Sequence, residues 1–229
     1  ISGEKPSSTA RSSSAAVFHM MHSSSIRIEL IVALFTFEQR CLCFPVCVMG
    51  IPELLFLDQN PRILDLCCGS GCIGLAVASR VKDAKVTLAD LSLDALAVAK
   101  ENTALNKLSG RVRCIQANAL KPAFPFLGKY DMIVSNPPYI TGEEMKELPK
   151  SVAAYEPHMA LYGGEDGLDF YRSISRNFAP ALKPGGYLAF EFADTQADQV
   201  CAILVENGYT IRERKKDHNG IERAVLAPY

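Results

Sequence analysis

The tetrapeptide Asn136-Pro137-Pro138-Tyr139 carries residue types suited to holding a planar amide or an exocyclic amine. It follows residues 130–135, an apolar run that predicts a short buried strand. Neither proline can donate a ladder hydrogen bond, so the strand should end abruptly. The Asn side chain would then lie at the carboxyl end of a strand, where open α/β sheets bind ligands, and it offers one acceptor and two N–H donors. The alternative interpretation is a Pro-Pro turn that only closes the strand.

A glycine-rich segment follows an earlier predicted strand. It reads Asp65-Leu66-Cys67-Cys68-Gly69-Ser70-Gly71, and Gly74 stands three residues further on. Glycines let the backbone approach a ligand closely, and the amino end of the helix that follows offers free N–H groups. A cysteine occupies the first glycine position of a dinucleotide fingerprint, so a pyrophosphate is poorly matched here.

Asp90 ends the second predicted strand, about where a ribose-binding acid stands in nucleotide-binding sheets. A carboxylate there can accept hydrogen bonds from both ribose hydroxyls. Together with the glycine-rich segment, it predicts a cofactor that carries a nucleoside. The alternative is that Asp90 caps the helix that begins near Ser92.

Alternating strands and helices position these residues and predict a doubly wound, mostly parallel sheet with an antiparallel pair at its end. Pro184-Gly185-Gly186 should stop the helix before it, and Asn219-Gly220 should form the turn of the final pair. The predicted strands are 62–67, 85–90, 112–116, 130–135, 187–192, 209–214 and 222–227, and the predicted helices are a run to about Val81, then 92–106, 167–181 and 196–206.

Composition narrows the class of protein. The 229 residues are 48% hydrophobic, and the net charge of −1 lacks the basic excess typical of nucleic-acid binders. The eight cysteines suit reduced thiols of a cytosolic protein, and their spacing favours core packing over a metal site. The apolar runs at 28–37 and 41–57 are shorter than the ~20 residues that span a bilayer, so no membrane segment is expected.

The motifs resemble those of a known family, the HemK-type peptide-chain release factor glutamine methyltransferases, which are class I S-adenosylmethionine-dependent methyltransferases. The resemblance covers about residues 61–229. It implies a Rossmann-like seven-stranded sheet with an antiparallel last strand, and methyl transfer to the glutamine N5 of a release factor's Gly-Gly-Gln motif. The stretches that carry it are Asp65-Leu66 with Gly69 and Gly71, Asp90, the tetrapeptide 136–139, residues 156–168, Lys183-Pro184-Gly185-Gly186, Glu191 with Gln196, and Asp217 with Gly220 and Arg223.

The resemblance also implies roles for single residues. Asn136 would accept a hydrogen bond from the target amide, the backbone carbonyl of Pro137 would accept a second, Pro138 would complete the turn, and Tyr139 would pack over the flat amide group. The cofactor-binding residues implied are Asp65, Cys67, Cys68, Gly69, Ser70, Gly71, Asp90, Asn118, Ala119 and Asn136. Cys67, Cys68 and Asn118 depart from the family's pattern, which predicts altered cofactor affinity.

Residues 1–6 resemble the remnant of a Tyr-Ile-x-Gly element that precedes the catalytic domain in the family, but residues 7–60 depart from its pattern. They are rich in Ser up to residue 25 and lack the Pro-Arg-x-Glu-Thr segment expected before the first strand. We expect a divergent N-terminal segment, partly disordered and then helical, followed by a catalytic domain at 61–229, with the family's upstream helical substrate-binding domain missing. A cytoplasmic monomer that binds a release factor and no nucleic acid is the expectation.

Two other functions fit the tetrapeptide. An adenine-N6 or cytosine-N4 nucleic-acid methyltransferase would use the same side chain on the exocyclic amine of a flipped base. An inactive, methyltransferase-like binding protein is compatible with the altered cofactor loop and the unusual N-terminal residues.

Overall fold

The computed structural model describes residues 60–148 and 157–229 of the chain. The predictions for the N-terminal segment, including its apolar runs, lie outside the described residues. Within these ranges, no helix has the length and apolar character needed to cross a membrane.

The described residues form a seven-stranded sheet, which confirms the predicted fold class. Its order is β3-β2-β1-β4-β5-β7-β6, with β1 to β5 parallel and β7 antiparallel to both of its neighbours. The strands are β1 (Arg62–Leu66), β2 (Lys85–Asp90), β3 (Val112–Gln116), β4 (Tyr130–Ser135), β5 (Leu182–Glu191), β6 (Glu213–Lys216) and β7 (Glu222–Pro228).

Helices cover both faces of this sheet. Successive residues of a strand point to opposite faces, so Ile63 packs beneath one helical layer and Leu64 beneath the other. Apolar runs such as the one in β1 are therefore buried on both sides. The helices are α1 (Cys72–Arg80), α2 (Leu93–Leu105), α3 (Gly142–Lys146), α4 (His158–Leu161), α5 (Asp169–Asn177) and α6 (Ala197–Glu206).

Pro184-Gly185-Gly186 was predicted to end the preceding helix and to precede the fifth strand, and this placement is wrong. These residues lie inside β5, which begins at Leu182. The register of β4 against β5 shifts between Tyr130 and Met132, so the extra residues form an irregularity in one strand instead of a break. The helix before them is shorter than predicted, because Pro180 would clash with the carbonyl four residues back, and a 3₁₀ turn at Ala179–Ala181 replaces its end.

The predicted strand at 209–214 is also displaced. Tyr209 is buried, and its hydroxyl donates to the Ser175 carbonyl at 3.0 Å, which draws the chain toward the core before β6 starts at Glu213. The turn at Asn219-Gly220 is present, with Gly220 at φ 79°.

Candidate active site

A cavity of about 430 Å³ lies at the carboxyl ends of β1, β2, β3 and β4. Its size falls within the range of small-molecule sites, and its position is where doubly wound sheets bind ligands. Of the residues predicted for the site, ten line it: Asp65, Cys67, Cys68, Gly69, Ser70, Asp90, Asn118, Ala119, Asn136 and Pro138. Three predicted residues, Gly71, Pro137 and Tyr139, do not line the cavity.

The loop after β1 has the backbone geometry that its glycines allow. Gly69 and Gly71 have φ values of 54° and 86°, in the left-handed region. No atom lies within 4 Å of the position that a Gly69 Cβ would take, so this turn presents bare backbone to the cavity. At Gly74 a Cβ would lie 2.4 Å from a Leu88 methyl group, so this glycine lets α1 pack closely on the sheet.

Cys67 adopts the left-handed conformation of the glycine it replaces, with φ at 55°. Only glycine enters this region without a steric cost. Burial raises the pKa of the Cys67 and Cys68 thiols. Both therefore contribute neutral thiols at the cavity wall.

Asp65 is 1% exposed and connects β1 to α1. Its Oδ2 accepts a hydrogen bond from the Gly74 N–H at 2.8 Å, and its Oδ1 has no hydrogen-bond partner among the described residues. Burial raises the pKa of this carboxyl to about 7, with a smaller contribution from the negative charge of Asp90, while the Gly74 hydrogen bond opposes the rise.

Asp90 connects two backbone segments at the cavity. Its Oδ2 accepts from the Gly69 N–H and its Oδ1 from the Ser92 N–H, each at 2.9 Å. The cap of α2 is Ser92, whose hydroxyl accepts from the Ala95 N–H at 3.2 Å. The alternative in which Asp90 itself caps this helix is therefore wrong, and the predicted cap at Ser92 is confirmed. Asp90 holds the glycine loop at the edge of the cavity.

Asn118 and Ala119 form the wall after β3. The Asn118 Oδ1 accepts from the Leu120 N–H at 2.9 Å, which closes a local turn. Ala119 is buried, and its carbonyl accepts from the Ser173 hydroxyl at 2.7 Å. Both residues are thus held in fixed positions beside the cavity.

The tetrapeptide at 136–139 follows β4, as predicted, and we call it the amide clamp. The Asn136 Nδ2 donates to Glu191 Oε1 at 3.1 Å, and both prolines are buried. Tyr139 is partly buried and packs against the apolar layer that contains Tyr171 and Phe190. The clamp is therefore an ordered, packed turn with its first side chain at the cavity.

Residues that no sequence pattern assigned to the site support the clamp from behind. A Cβ at Gly163 would lie 2.7 Å from the Pro138 carbonyl oxygen, so only glycine fits there. The Gln196 Nε2 donates to the carbonyls of Tyr139 at 3.0 Å and Gly167 at 3.3 Å. The resemblance named Gln196 without a role, and its contact depends on segments far apart in the chain.

A second group of lining residues lies mostly at 157–162, inside the stretch 156–168 that carries part of the family resemblance. The sequence predicts a loop or lid over 140–166 with a charged, solvated face, and the alternative interpretation is that Glu156-Pro157 orders the approach of the substrate. The other lining residues of this group had no predicted role. The whole group consists of Pro157, His158, Met159, Ala160, Tyr162 and, from α5, Phe170.

The charge of the lining is distinctive. Asp65, Asp90 and Asp94 contribute carboxyl groups, and the described residues that line the cavity include no Lys or Arg. Such a lining does not suit a phosphate, which requires cations or many N–H donors. It suits a nucleoside ligand that carries positive charge. Neither in the cavity nor in the rest of the described ranges is a group of three His, Cys, Asp or Glu side chains arranged to hold a metal ion.

The sheet order and the glycine loop define the class of fold: a Rossmann-like α/β fold of the kind found in methyltransferases. Residues 52–154 match the family model of the Methyltransferase small domain. A solved protein-(glutamine-N5) methyltransferase (release factor-specific) from Alicyclobacillus acidocaldarius shares 26% identity with a TM-score of 0.50, over 82% of this chain and 91% of that one.

Similar proteins with curated names indicate which methyltransferases this chain resembles in sequence. The chain is 40% identical to the Release factor glutamine methyltransferase of Clostridium acetobutylicum, over 80% of this chain and 64% of that protein. It is 42% identical to that of Fusobacterium nucleatum, over 76% of this chain and 49% of that protein. The predicted resemblance is confirmed, and the chain is a relative of the release factor glutamine methyltransferases. It spans less than two thirds of the length of these relatives.

Proposed function

We propose that this chain transfers a methyl group from S-adenosylmethionine to the side-chain amide nitrogen, N5, of the glutamine in the Gly-Gly-Gln motif of a release factor. The observation that carries the proposal is the position of the Asn136 amide, at an acid-lined cavity and fixed by Glu191. Relatives named for this activity support it.

The residues of the cavity fit S-adenosylmethionine. The bare backbone at Gly69 accommodates close contact, and the three carboxyl groups complement a ligand with ammonium and sulfonium charges. Asp90 would hold the ribose, and Asn118 with Ala119 would bound the adenine. When bound, the cofactor supplies a methyl group on an electrophilic sulfonium.

The clamp residues would orient the acceptor. An amide nitrogen is a weak nucleophile because its lone pair is delocalised, so alignment is the main contribution open to the protein, at best ~7–11 kcal/mol. Asn136 Oδ1 would accept one N–H of the target amide, and the Pro137 carbonyl would accept the other. Pro138 would fix the turn that separates Asn136 and Pro137 from Tyr139. The Tyr139 ring would pack on the flat amide group of the target.

The proposal also specifies the substrate class, the oligomeric state and the localisation of the protein. A cytoplasmic monomer would act on a release factor and bind no nucleic acid, in keeping with the near-neutral net charge. An exocyclic amine has the same donor pattern as a primary amide, so a nucleic-acid substrate is the outcome that would displace this proposal.

A competition assay tests the substrate class. The chain and S-adenosylmethionine with a labelled methyl group would be incubated with a release factor and duplex DNA together, and the label in each acceptor counted. We expect label in the release factor, and a labelling rate lower by about 10²–10³-fold with the N136A variant. Label in DNA would establish the nucleic-acid alternative. Calorimetric binding of cofactor without label in either acceptor would reject the proposal, and the absence of binding would favour an inactive binding protein.

A further inference from the structure

We infer that Glu191 is a positioning residue, which orients the side-chain amide of Asn136 so that its oxygen, and not its nitrogen, faces the substrate. The inference rests on the proposed function, because it concerns how the amide clamp presents an acceptor to the target N–H groups. The contact that carries it is the hydrogen bond from Asn136 Nδ2 to Glu191 Oε1, at 3.1 Å.

The chemistry of the pair explains why orientation needs a partner. The oxygen and nitrogen ends of an Asn amide have nearly the same shape, so rotation by 180° about the last bond exchanges acceptor and donors. The Glu191 Oε1 accepts the hydrogen bond here, so this contact selects the rotamer with Nδ2 directed toward Glu191. The amide oxygen then points to the other side. A rotated Asn136 would present N–H groups to the N–H groups of its substrate and could not bind it.

The sheet places these two residues side by side. In the parallel pairing of β4 and β5, Ser135 lies opposite Phe190, and the next position along each strand is Asn136 and Glu191. The contact therefore arises from the register of two strands that are 55 residues apart at this point. Sequence periodicity within either segment cannot reveal it.

Glu191 is itself held firmly and lies behind the cavity wall. It is 2% exposed and is not among the residues that line the cavity. Its carbonyl accepts from the buried Tyr171 hydroxyl at 2.9 Å, and its backbone pairs with Ala224 of β7. A buried carboxyl group that touches the clamp without lining the cavity acts through Asn136.

The Glu191 contact adds polarisation to orientation. Hydrogen bonds in series strengthen one another, so donation to the Glu191 oxygen makes the Asn136 oxygen a better acceptor. The target nitrogen acquires positive charge as the methyl group arrives, and that is when a stronger acceptor matters. The contribution should therefore appear in kcat more than in the binding of the cofactor.

Gln196 offers an internal comparison. It holds the other end of the clamp through the Tyr139 carbonyl, and its Oε1 accepts from the Ala193 N–H at 3.2 Å. Gln196 thus supports backbone, whereas Glu191 supports a functional side chain. Q196A should lower the thermal stability together with activity, and E191Q should lower activity alone.

The test uses E191Q and E191A in the 229-residue chain, with E222Q as the matched control. Glu222 is a partly buried carboxylate of β7 that pairs with Arg214 and does not line the cavity. Loss of an orienting partner costs about 10–100-fold at metal sites. On that scale we expect kcat to fall about tenfold in E191Q, which keeps an acceptor, and about 100-fold in E191A. The affinity for S-adenosylmethionine should stay within about twofold of the parent chain. That corresponds to a much smaller free-energy change than the tenfold or larger loss expected in kcat.

A spectroscopic measurement separates orientation from general structure. The side-chain NH₂ signals of Asn136, identified by their loss in N136D, should shift in E191Q and E191A and stay unchanged in E222Q. If the signals and kcat of E191Q and E191A match the parent chain, the inference is wrong. It is also wrong if kcat, cofactor affinity and thermal stability fall together in E191Q. If E191A fails to fold, E191Q decides the question.

Failure of the proposed function would look different. In that case the parent chain itself leaves the release factor unlabelled, while the Asn136 signals still report whether Glu191 fixes the amide. Unshifted signals in E191Q would overturn the positioning role whatever the acceptor is.

Discussion

Single residues at the cavity have geometry that the chemistry of an amide acceptor requires. Asn136 stands where β4 ends, and its nitrogen is engaged by Glu191. The sequence predicted the position of Asn136, because two prolines after an apolar strand leave few other conformations. It could not assign its partner, because that contact depends on strand register.

The first residue-scale prediction concerns Asn136. Under the proposed function, replacement by Ala removes the acceptor for the target amide, and loss of one such pre-organised hydrogen bond costs about 10²–10³ in kcat. N136A should therefore lose activity on this scale in single-turnover methyl transfer, with little change in cofactor affinity. Asn207, a remote C-cap of α6, supplies the control N207A. Parental kcat in N136A would remove Asn136 from the mechanism.

The second prediction about a single residue concerns Asn118. Its Oδ1 already accepts a hydrogen bond from the Leu120 N–H. In N118D the second carboxylate oxygen replaces an N–H donor and can accept from the exocyclic amine of adenine. A hydrogen bond to a charged group is stronger than a neutral one by about 1 kcal/mol, so the affinity for S-adenosylmethionine should rise about fivefold. Calorimetric titration measures it. Equal or weaker binding by N118D would show that Asn118 does not face the adenine.

At the scale of elements, the loop after β1 shows what a cysteine in a glycine position costs. The left-handed conformation of Cys67 is unfavourable by roughly 1–2 kcal/mol for a residue with a Cβ. The loop nevertheless keeps its turn, because Asp90 holds the Gly69 N–H and Gly71 bonds back to the Cys68 carbonyl at 2.8 Å.

Substitution of Cys67 tests this cost. C67G should retain or improve cofactor affinity, because glycine adopts the turn without strain. C67V should lower both thermal stability and cofactor affinity, because a β-branched side chain fits the left-handed region worst. C114V, in strand β3 where branching is favourable, is the control. A C67V variant as stable as C114V would show that the loop relaxes freely.

The elements also show what the sequence could and could not reveal. The strands β2, β3 and β4 were predicted with their observed bounds, since each is a short segment with β-branched or other apolar residues between turn signals. Pro184-Gly185-Gly186 was predicted as a break and instead forms an irregular part of β5. Local signals mark where a chain bends, but pairing with a neighbouring strand decides whether the bend ends the strand.

At the scale of the whole molecule, stability should depend on pH through Asp65. Its folded-state pKa is raised from 3.8 to about 7, so between these values the native state binds more protons than the unfolded state. The contribution of this group to stability therefore falls as pH rises from ~4 to ~7. The full effect is about 4 kcal/mol above pH ~7.

Denaturant unfolding of D65N and the parent chain at several pH values measures this effect. The neutral side chain has no such titration, so the free energy of unfolding of D65N minus that of the parent should increase from pH 5 to pH 8. D131N is the control, as Asp131 is half-buried and paired with Lys183. A difference between D65N and the parent that is constant across this pH range would contradict the assigned cause.

Tandem mass spectrometry of a release factor, after incubation with the chain and S-adenosylmethionine, tests the proposed methyl transfer most directly. We expect one added methyl group on the glutamine of the Gly-Gly-Gln motif, formed about 10²–10³ times more slowly when N136A replaces the parent chain. A methyl group on any other residue, or an unmodified glutamine in the presence of bound cofactor, would contradict it.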